Sequence, residues 1–466
     1  MYINDISSRA WPGKASNIWL ILLFIIQVFI IILFAYKGIL FVAGSLMVLF
    51  LLLFTAFSVE RVFYLLLLYI VIFEEEFYTS RIPGFTLSYS WPIALGLFLL
   101  VMVYWAMGLS RQRYDFQLET LDLLVIIFLL LVLISAIRGY LLEYDSTAWR
   151  WEILPYPFYL SYFVFRFSQL KDNNRILKKV LLFAAAFVAF EMIYALTHFR
   201  LGIIFHRIVT KNVHIMQFAI PYAGLLAIYS NSPREKTISF LLLPAFVLAV
   251  IISQQRALML TIFLTLIILL AIFIKVRFST LEKRKKRVVF TSLIVISMIA
   301  IFVIIIFITH KGLLYTVISR AVVFLSPQNL IRDQSWQIRW QEIVKIIPQI
   351  QRNFFLGTGF GATEISRLRF ILKITVDNAY FYLLWKMGFL GLVCFLSIQL
   401  LAIKRCIIVS KRSLDTDEKI FSRAVLMNII GLLFVAITNS CIVTYRLVFV
   451  WMTLISSIEV MARKYV

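Results

Sequence analysis

The chain has 466 residues, of which 62% are hydrophobic, and its mean hydropathy is +0.95. This composition excludes an ordinary soluble enzyme and is typical of an integral membrane protein. The net charge of +23 is consistent with basic loops that orient the chain in the bilayer and attract anionic lipid headgroups.

Apolar runs recur along the whole chain at about the length that a helix needs to cross the hydrocarbon layer. They predict an all-α polytopic bundle of about 12–14 transmembrane helices, with residues 1–466 forming a single integral membrane domain. The predicted spans are residues 17–35, 39–56, 61–74, 91–108, 121–138, 153–167, 178–197, 213–230, 237–255, 257–275, 288–309, 378–402, 424–440 and 446–462.

Short basic loops predict how the chain is oriented. The segments Lys275–Arg287, Lys404–Arg423 and Lys171–Lys179 fall on one side of the predicted bundle, and basic loops remain cytoplasmic. We therefore expect both termini to be cytoplasmic. The loops predicted to lie on the opposite, extracytoplasmic side are residues 75–90, 139–152, 198–212 and 311–376.

The longest polar segment is residues 311–376, which carries nine Lys and Arg residues against three Asp and Glu residues. Long loops cross the membrane largely regardless of their charge, so this excess is not needed for topology. An anionic ligand on the outer face would explain it. The alternative is a solvated loop that lies against lipid headgroups.

Within this segment, Asp333 to Gln349 is predicted to form an amphipathic helix, with Asp333 as its N-cap and Pro348 near its end. Arg339 lies at the edge of the apolar stripe, where it would reach a lipid phosphate or else be solvated. The predicted stripe consists of Trp336, Trp340, Ile343, Val344 and Ile347.

Two further positions are candidates for chemistry. Arg256 lies between two predicted spans, where its guanidinium would bind a pyrophosphate through two hydrogen bonds or would snorkel to the interface. Asp377 directly precedes Asn378 at the start of a predicted span, so it is either a helix cap or a general base.

Other motifs indicate what chemistry is not expected. Gly357, Gly359 and Gly361 predict a tight turn, but no Lys-Ser/Thr pair follows, which argues against a nucleotide P-loop. The three cysteines and four histidines lack the spacing of a disulfide framework or a zinc site, so we expect no metal. Asp415 and Asp417 are more typical of a solvated turn than of a metal site.

Together these motifs resemble the O-antigen ligase and O-antigen polymerase family of bacterial surface-polysaccharide enzymes, over residues 212–462. The matching patterns are Arg256-x3-Leu260, Arg339 followed by Trp340, the glycines of residues 357–361, and Asn378-x9-Gly388-x2-Gly391. This sequence departs from the ligase pattern at one position, because Asp377 stands where a ligase carries His.

The resemblance implies a C-type membrane glycosyltransferase that is inverting, metal-independent and free of cofactors. Its implied partners are undecaprenyl-diphosphate-linked glycan as donor and acceptor, membrane lipids and a chain-length regulator protein, with no nucleic acid. Its implied place is the bacterial inner membrane, with an extracytoplasmic active site. The implied catalytic residues are Asp377, Arg256 and Arg339, and the implied substrate-binding residues are Arg200, Arg207, Asn378 and Arg332.

Three functions follow from this reading. The first is a polymerase that joins lipid-linked repeat units into O-antigen or exopolysaccharide. The second is a ligase that transfers finished glycan to the lipid A core. The third, from another class, is a polysaccharide flippase, although such a protein would need charges lining a cavity inside the bundle.

Overall fold

A computed structural model describes residues 59–72, 90–110, 117–168, 170, 174–198, 211–253, 255–279, 334–366, 371–373, 376–439 and 444–465. All structural statements below concern these residues. From Leu66 onward they form one compact unit. The predicted spans 17–35, 39–56 and 288–309 lie outside the described residues, so the expected count of twelve to fourteen spans stays a prediction.

The described residues form thirteen α-helices. Their bounds are α1 Val59–Ile72, α2 Ser90–Ser110, α3 Thr120–Leu141, α4 Ser146–Ile153, α5 Ser161–Arg166, α6 Asn174–His198, α7 Met216–Tyr229, α8 Pro233–Ser253, α9 Arg256–Ser279, α10 Gln334–Arg352, α11 Ala379–Arg412, α12 Thr416–Ala436 and α13 Tyr445–Ala462. Two 3-10 turns, Tyr156–Leu160 and Lys211–Ile215, precede α5 and α7.

Five of these segments are long and apolar enough to cross a membrane: Thr120–Leu141, Pro233–Ser253, Ala257–Ile274, Ala379–Arg412 and Thr416–Ala436. The prediction of an all-α polytopic membrane protein is therefore confirmed. The described residues add one small sheet in the polar segment, where β1 (Glu364–Ser366) pairs antiparallel with β2 (Ile371–Lys373).

The predicted span 153–167 is wrong as a continuous helix. The chain there forms the 3-10 turn Tyr156–Leu160 and the six-residue helix α5. Pro155 and Pro157 explain the break, because proline has no amide hydrogen to donate and its ring clashes with the preceding turn. Hydropathy alone does not detect this interruption.

The two ends of the bundle differ in character. At one end, called the Glu459 end, the buried carboxylate of Glu459 lies 3.0 Å from Nε of Arg405. The guanidinium of Arg405 also lies 2.9 Å from the carboxylate of Glu119. Arg166 Nε lies 2.6 Å from Asp122 in the same region, and both side chains are fully buried. These pairs join α3, α5, α11 and α13. At the opposite end, called the Asn378 end, Asn378 Nδ2 donates to the carbonyl of Ile437 at 2.8 Å.

Candidate active site

Arg339 and Asp377 meet at the Asn378 end. Arg339 Nε lies 3.4 Å from Asp377 Oδ2, and the two side chains are 28% and 40% exposed. The motifs of the sequence placed these residues in one pattern, and the structure brings them into contact across 38 positions of chain. A cation and a carboxylate that both reach solvent can bind a charged substrate and accept a proton from it.

The packing of α10 on α11 produces this contact. Ile343, Ile346 and Ile350 form one buried face of α10, and this face packs in a cluster with Trp385 of α11 and Val376. Trp385 Nε1 also donates to Gln349 Oε1 at 2.7 Å. Arg339 lies one helical turn before Ile343 on the same side of α10, so seating the isoleucines places its guanidinium beside Asp377.

The predicted face of α10 was partly wrong. Ile343 is buried as expected, but Trp336, Trp340 and Val344 are exposed by 39%, 56% and 47%. The helix also continues past Pro348 to Arg352, and Asp333 lies outside the described residues. Since Pro348 and the residue four positions before it both lie on the exposed side, the carbonyl freed by the proline can face solvent.

Asn378, rather than Asp377, caps α11. The Asn378 side-chain oxygen accepts hydrogen bonds from the amides of Tyr380 at 3.0 Å and Phe381 at 3.1 Å, which satisfies the first turn. With the cap supplied by its neighbour, the Asp377 carboxylate is available to pair with Arg339. The Asn378 amide is hydrogen bonded through both its oxygen and its nitrogen and positions the start of α11, while its assignment as a substrate-binding residue stays a prediction.

The glycine segment, residues 356–361, docks into a break in α11. Gly388 has φ +70° inside this helix, in the left-handed region that favours glycine. A Cβ at Gly388 would collide with the carbonyl of Phe355.

The interruption frees backbone groups in α11, which hydrogen bond instead to residues 354–359. The amides of Phe389 and Leu390 donate to Phe354 and Phe355 at 2.7 and 3.3 Å, and the Trp385 and Lys386 carbonyls accept from Thr358 and Gly359 at 2.7 and 3.1 Å.

A buried ion pair lies directly beneath the glycine segment. Lys386 Nζ is 2.8 Å from Glu152 Oε1, and the two side chains are 0% and 1% exposed. Lys386 also donates to the carbonyl of Ala362, while the Gly361 amide donates to Glu152 Oε2 at 2.5 Å. Burial raises the pKa of the Glu152 carboxyl, and Lys386 opposes that shift. Sequence reasoning missed this pair, although a lysine inside an apolar span was a usable signal.

Residues 239–396 match the O-antigen ligase family. The match confirms the resemblance recognised from the motifs of the sequence. A search of curated proteins finds no match for the chain.

The O-antigen ligase region contains most of the positions described above. It extends from within α8 to within α11, and it includes Arg256, the Arg339–Asp377 pair, the glycine segment and the break at Gly388. Glu152 lies outside the region on α4, yet it is salt-bridged to Lys386 within it. The family supports a membrane glycosyltransferase-like enzyme of the O-antigen ligase and polymerase type.

The remaining predicted site residues are placed only in part. Arg256 is the first residue of α9, at the Asn378 end, and its side chain lies outside the described residues. Arg200, Arg207 and Arg332 also lie outside the described residues. Their assignment as substrate contacts therefore stays a prediction. Among described residues, no group of three His, Cys, Asp or Glu side chains could hold a metal ion.

Asp415 and Asp417 have a structural explanation. The Asp415 side chain accepts a hydrogen bond of 2.9 Å from the amide of Asp417 and caps α12 at the Glu459 end. This is the solvated turn that the sequence favoured over a metal site.

Proposed function

We propose that this protein polymerises undecaprenyl-diphosphate-linked oligosaccharide repeat units into O-antigen or exopolysaccharide at the outer face of the bacterial inner membrane. The observation that carries the proposal is the contact between Arg339 and Asp377, both partly exposed, within the O-antigen ligase region. The ligase reading has one specific point in its favour, which is the description of the matched family as O-antigen ligase.

The length of α11 supports a site at headgroup depth. From Asn378 to Lys404 the helical rise is about 39 Å at about 1.5 Å per residue, less the shortening caused by the break at Gly388. A bilayer with its headgroup regions is about 40–45 Å thick. If Lys404 lies at the cytoplasmic boundary, Asp377 lies at the level of the outer phosphates.

The helical rise along α11 also places the glycine segment deeper in the bilayer than Asp377. Gly388 is about 24 Å from Lys404 along the helix, which is less than the ~30 Å thickness of the hydrocarbon core. Backbone that is not helical is tolerated at such depth only where protein satisfies its polar groups. The hydrogen bonds between residues 354–359 and the break in α11 provide that satisfaction. We infer that the end of the predicted outer loop dips back into the bundle.

The proposed reaction assigns roles to the residues of the pair. Asp377 accepts the proton of an acceptor sugar hydroxyl, whose oxygen bonds to the anomeric carbon of the donor. The bond between that carbon and the phosphate oxygen breaks with inversion, and undecaprenyl diphosphate leaves. Arg339, together with Arg256, stabilises the negative charge on the departing diphosphate. Arg200, Arg207 and Arg332 are proposed as further diphosphate contacts.

Replacing Arg339 by Ala tests this proposal in cells. The removal of one charge-stabilising donor is expected to lower transfer about 100-fold or more, so long polymer should disappear. Arg339→Lys should retain part of the activity, because it keeps the charge and loses the planar pair of donors. The measurement is the polymer ladder on a gel, together with mass spectrometry of lipid-linked single repeats, which should accumulate.

A control variant on the same helix is Arg352→Ala, which removes an exposed arginine from the last turn of α10. It should leave the ladder unchanged. Normal chain lengths in Arg339→Ala cells would contradict the proposal. Intact polymer that remains on the carrier lipid in cells lacking the protein would indicate a ligase instead.

A further inference from the structure

The outward face of α10 carries a pattern that the proposed reaction does not use. Trp336 and Trp340, one helical turn apart, are 39% and 56% exposed. Gln337 and Gln341, also one turn apart, are exposed beside them. Residues spaced in this way are neighbours on a helix surface, so the four side chains form one continuous patch. We call this patch the Trp–Gln face.

The chemistry of the Trp–Gln face matches a saccharide. Sugar rings present apolar C–H surfaces that stack on flat aromatic rings, and their hydroxyl groups both donate and accept hydrogen bonds. Tryptophan supplies a large rigid apolar surface with one N–H donor, and glutamine supplies an amide with two donors and an acceptor. The tryptophans can therefore stack on the apolar surface of a sugar ring, and the glutamines can hydrogen bond to its hydroxyl groups.

The composition of this face argues against burial in hydrocarbon. Tryptophan is common at the membrane interface, but two glutamine amides placed in lipid would each lose hydrogen bonds to water. The apolar face of α10, which contains Ile343, Ile346 and Ile350, is already occupied by packing on α11. The face of α10 that remains exposed therefore combines two tryptophans with two glutamine amides, and it is poorly suited to contact with hydrocarbon.

Charge and position favour a sugar that carries a diphosphate. Arg339 lies between the two tryptophans in sequence and pairs with Asp377. Lys345 adds positive charge to the same helix, whereas its one carboxylate, Glu342, is buried. A glycan bound on the Trp–Gln face would have its anionic end beside cationic side chains.

We propose that the Trp–Gln face binds the sugar residues of the lipid-linked glycan and presents them to the Arg339–Asp377 pair. This proposal rests on the proposed function, since it names the substrate surface of that same site. Trp336 and Trp340 are binding residues, and they take no part in the proton transfer.

The test is oligosaccharide binding by the purified protein in lipid nanodiscs, followed by saturation-transfer NMR. The probe is a set of oligosaccharide fragments released by mild acid from the surface polysaccharide of the native cells. The double variant Trp336→Ala/Trp340→Ala should weaken binding about tenfold or more, the size expected for loss of aromatic anchors. Trp336→Phe/Trp340→Phe should retain most of the binding, because the rings remain.

Two controls separate this proposal from the proposed function. Trp151→Ala removes from α4 a tryptophan that is 40% exposed, close to the value for Trp336, and should leave binding unchanged. Asp377→Asn should bind the fragments normally while transferring no sugar. Transfer that survives in Asp377→Asn would count against the proposed function alone.

Two results would overturn the Trp–Gln proposal. The first is unchanged fragment binding by the double alanine variant. The second is quenching of Trp336 and Trp340 fluorescence by brominated lipids, measured as the difference between the wild-type protein and the double phenylalanine variant. That quenching would show that the face lies on the membrane.

Discussion

Replacing Asp377 by Asn is expected to abolish visible polymer and to leave lipid-linked single repeats in the membrane. Asparagine keeps the shape of the side chain but cannot accept the acceptor hydroxyl proton, and loss of general base catalysis costs about 10²–10⁴-fold in rate. Asp377→Glu, which retains a carboxylate, should keep measurable activity. The ladder on a gel and the mass of the accumulated glycolipid provide the measurement.

Folding should be preserved in this variant. The Asp377 side chain is 40% exposed, and an exposed ion pair contributes about 0–1 kcal/mol to stability. The cap of α11 also belongs to Asn378, which is untouched. A matched control is Asp417→Asn at the Glu459 end, where an exposed carboxylate is lost with no expected change in the ladder. Full-length polymer made by Asp377→Asn would rule out the carboxylate as base.

Replacing Lys386 by Met is expected to destabilise the protein by about 3–5 kcal/mol, because removal of one partner leaves a buried charge uncompensated. The Glu152 carboxylate is 1% exposed and loses its cation, and the carbonyl of Ala362 loses its donor. The midpoint of thermal unfolding in detergent should fall clearly. The docking of the glycine segment should loosen with it, so activity should fall as well.

A double variant makes this prediction specific. Glu152→Gln together with Lys386→Met removes both charges, and it should recover part of the lost stability, because the pair acts as a unit. Lys464→Met breaks a comparable contact of 2.8 Å with Glu418 at the Glu459 end, where the lysine is 57% exposed. That control should change stability by about 1 kcal/mol or less. Equal effects of the buried and exposed variants would contradict the assigned role.

Much of the helical bundle could be predicted from hydropathy. The span predicted at residues 121–138 is the core of α3, and the span predicted at 378–402 begins one residue before α11. Such spans are visible because lipid demands a long unbroken apolar run. The failure at 153–167 has the opposite cause, since the two prolines break a run whose composition still satisfies the hydropathy window.

The face of α10 shows where periodicity is insufficient. The helix has apolar residues on two overlapping stripes, one containing Trp336 and Trp340 and the other containing Ile346 and Ile350. Both stripes have helical spacing, and only the packing partner decides which is buried. The isoleucine stripe is the buried one because it packs against Trp385 of α11.

The candidate site could be predicted only in part from the sequence. Arg339 and Asp377 were predicted from motif order, and the structure adds their contact and the transfer of the cap to Asn378. The Glu152–Lys386 pair could not be found in this way, since the two residues are 234 positions apart and only the folded bundle joins them. The glycines predicted a turn, but their insertion into the break of α11 is a tertiary property.

Polymerase activity is tested by a reaction with purified protein in detergent and undecaprenyl-diphosphate-linked repeat units as the sole substrate. We predict products of two and more repeats on one carrier, together with released undecaprenyl diphosphate, and none of either with Asp377→Asn. Because no bilayer separates two compartments, a flippase would give no product. Unchanged single repeats with the wild-type protein would contradict polymerisation by this chain.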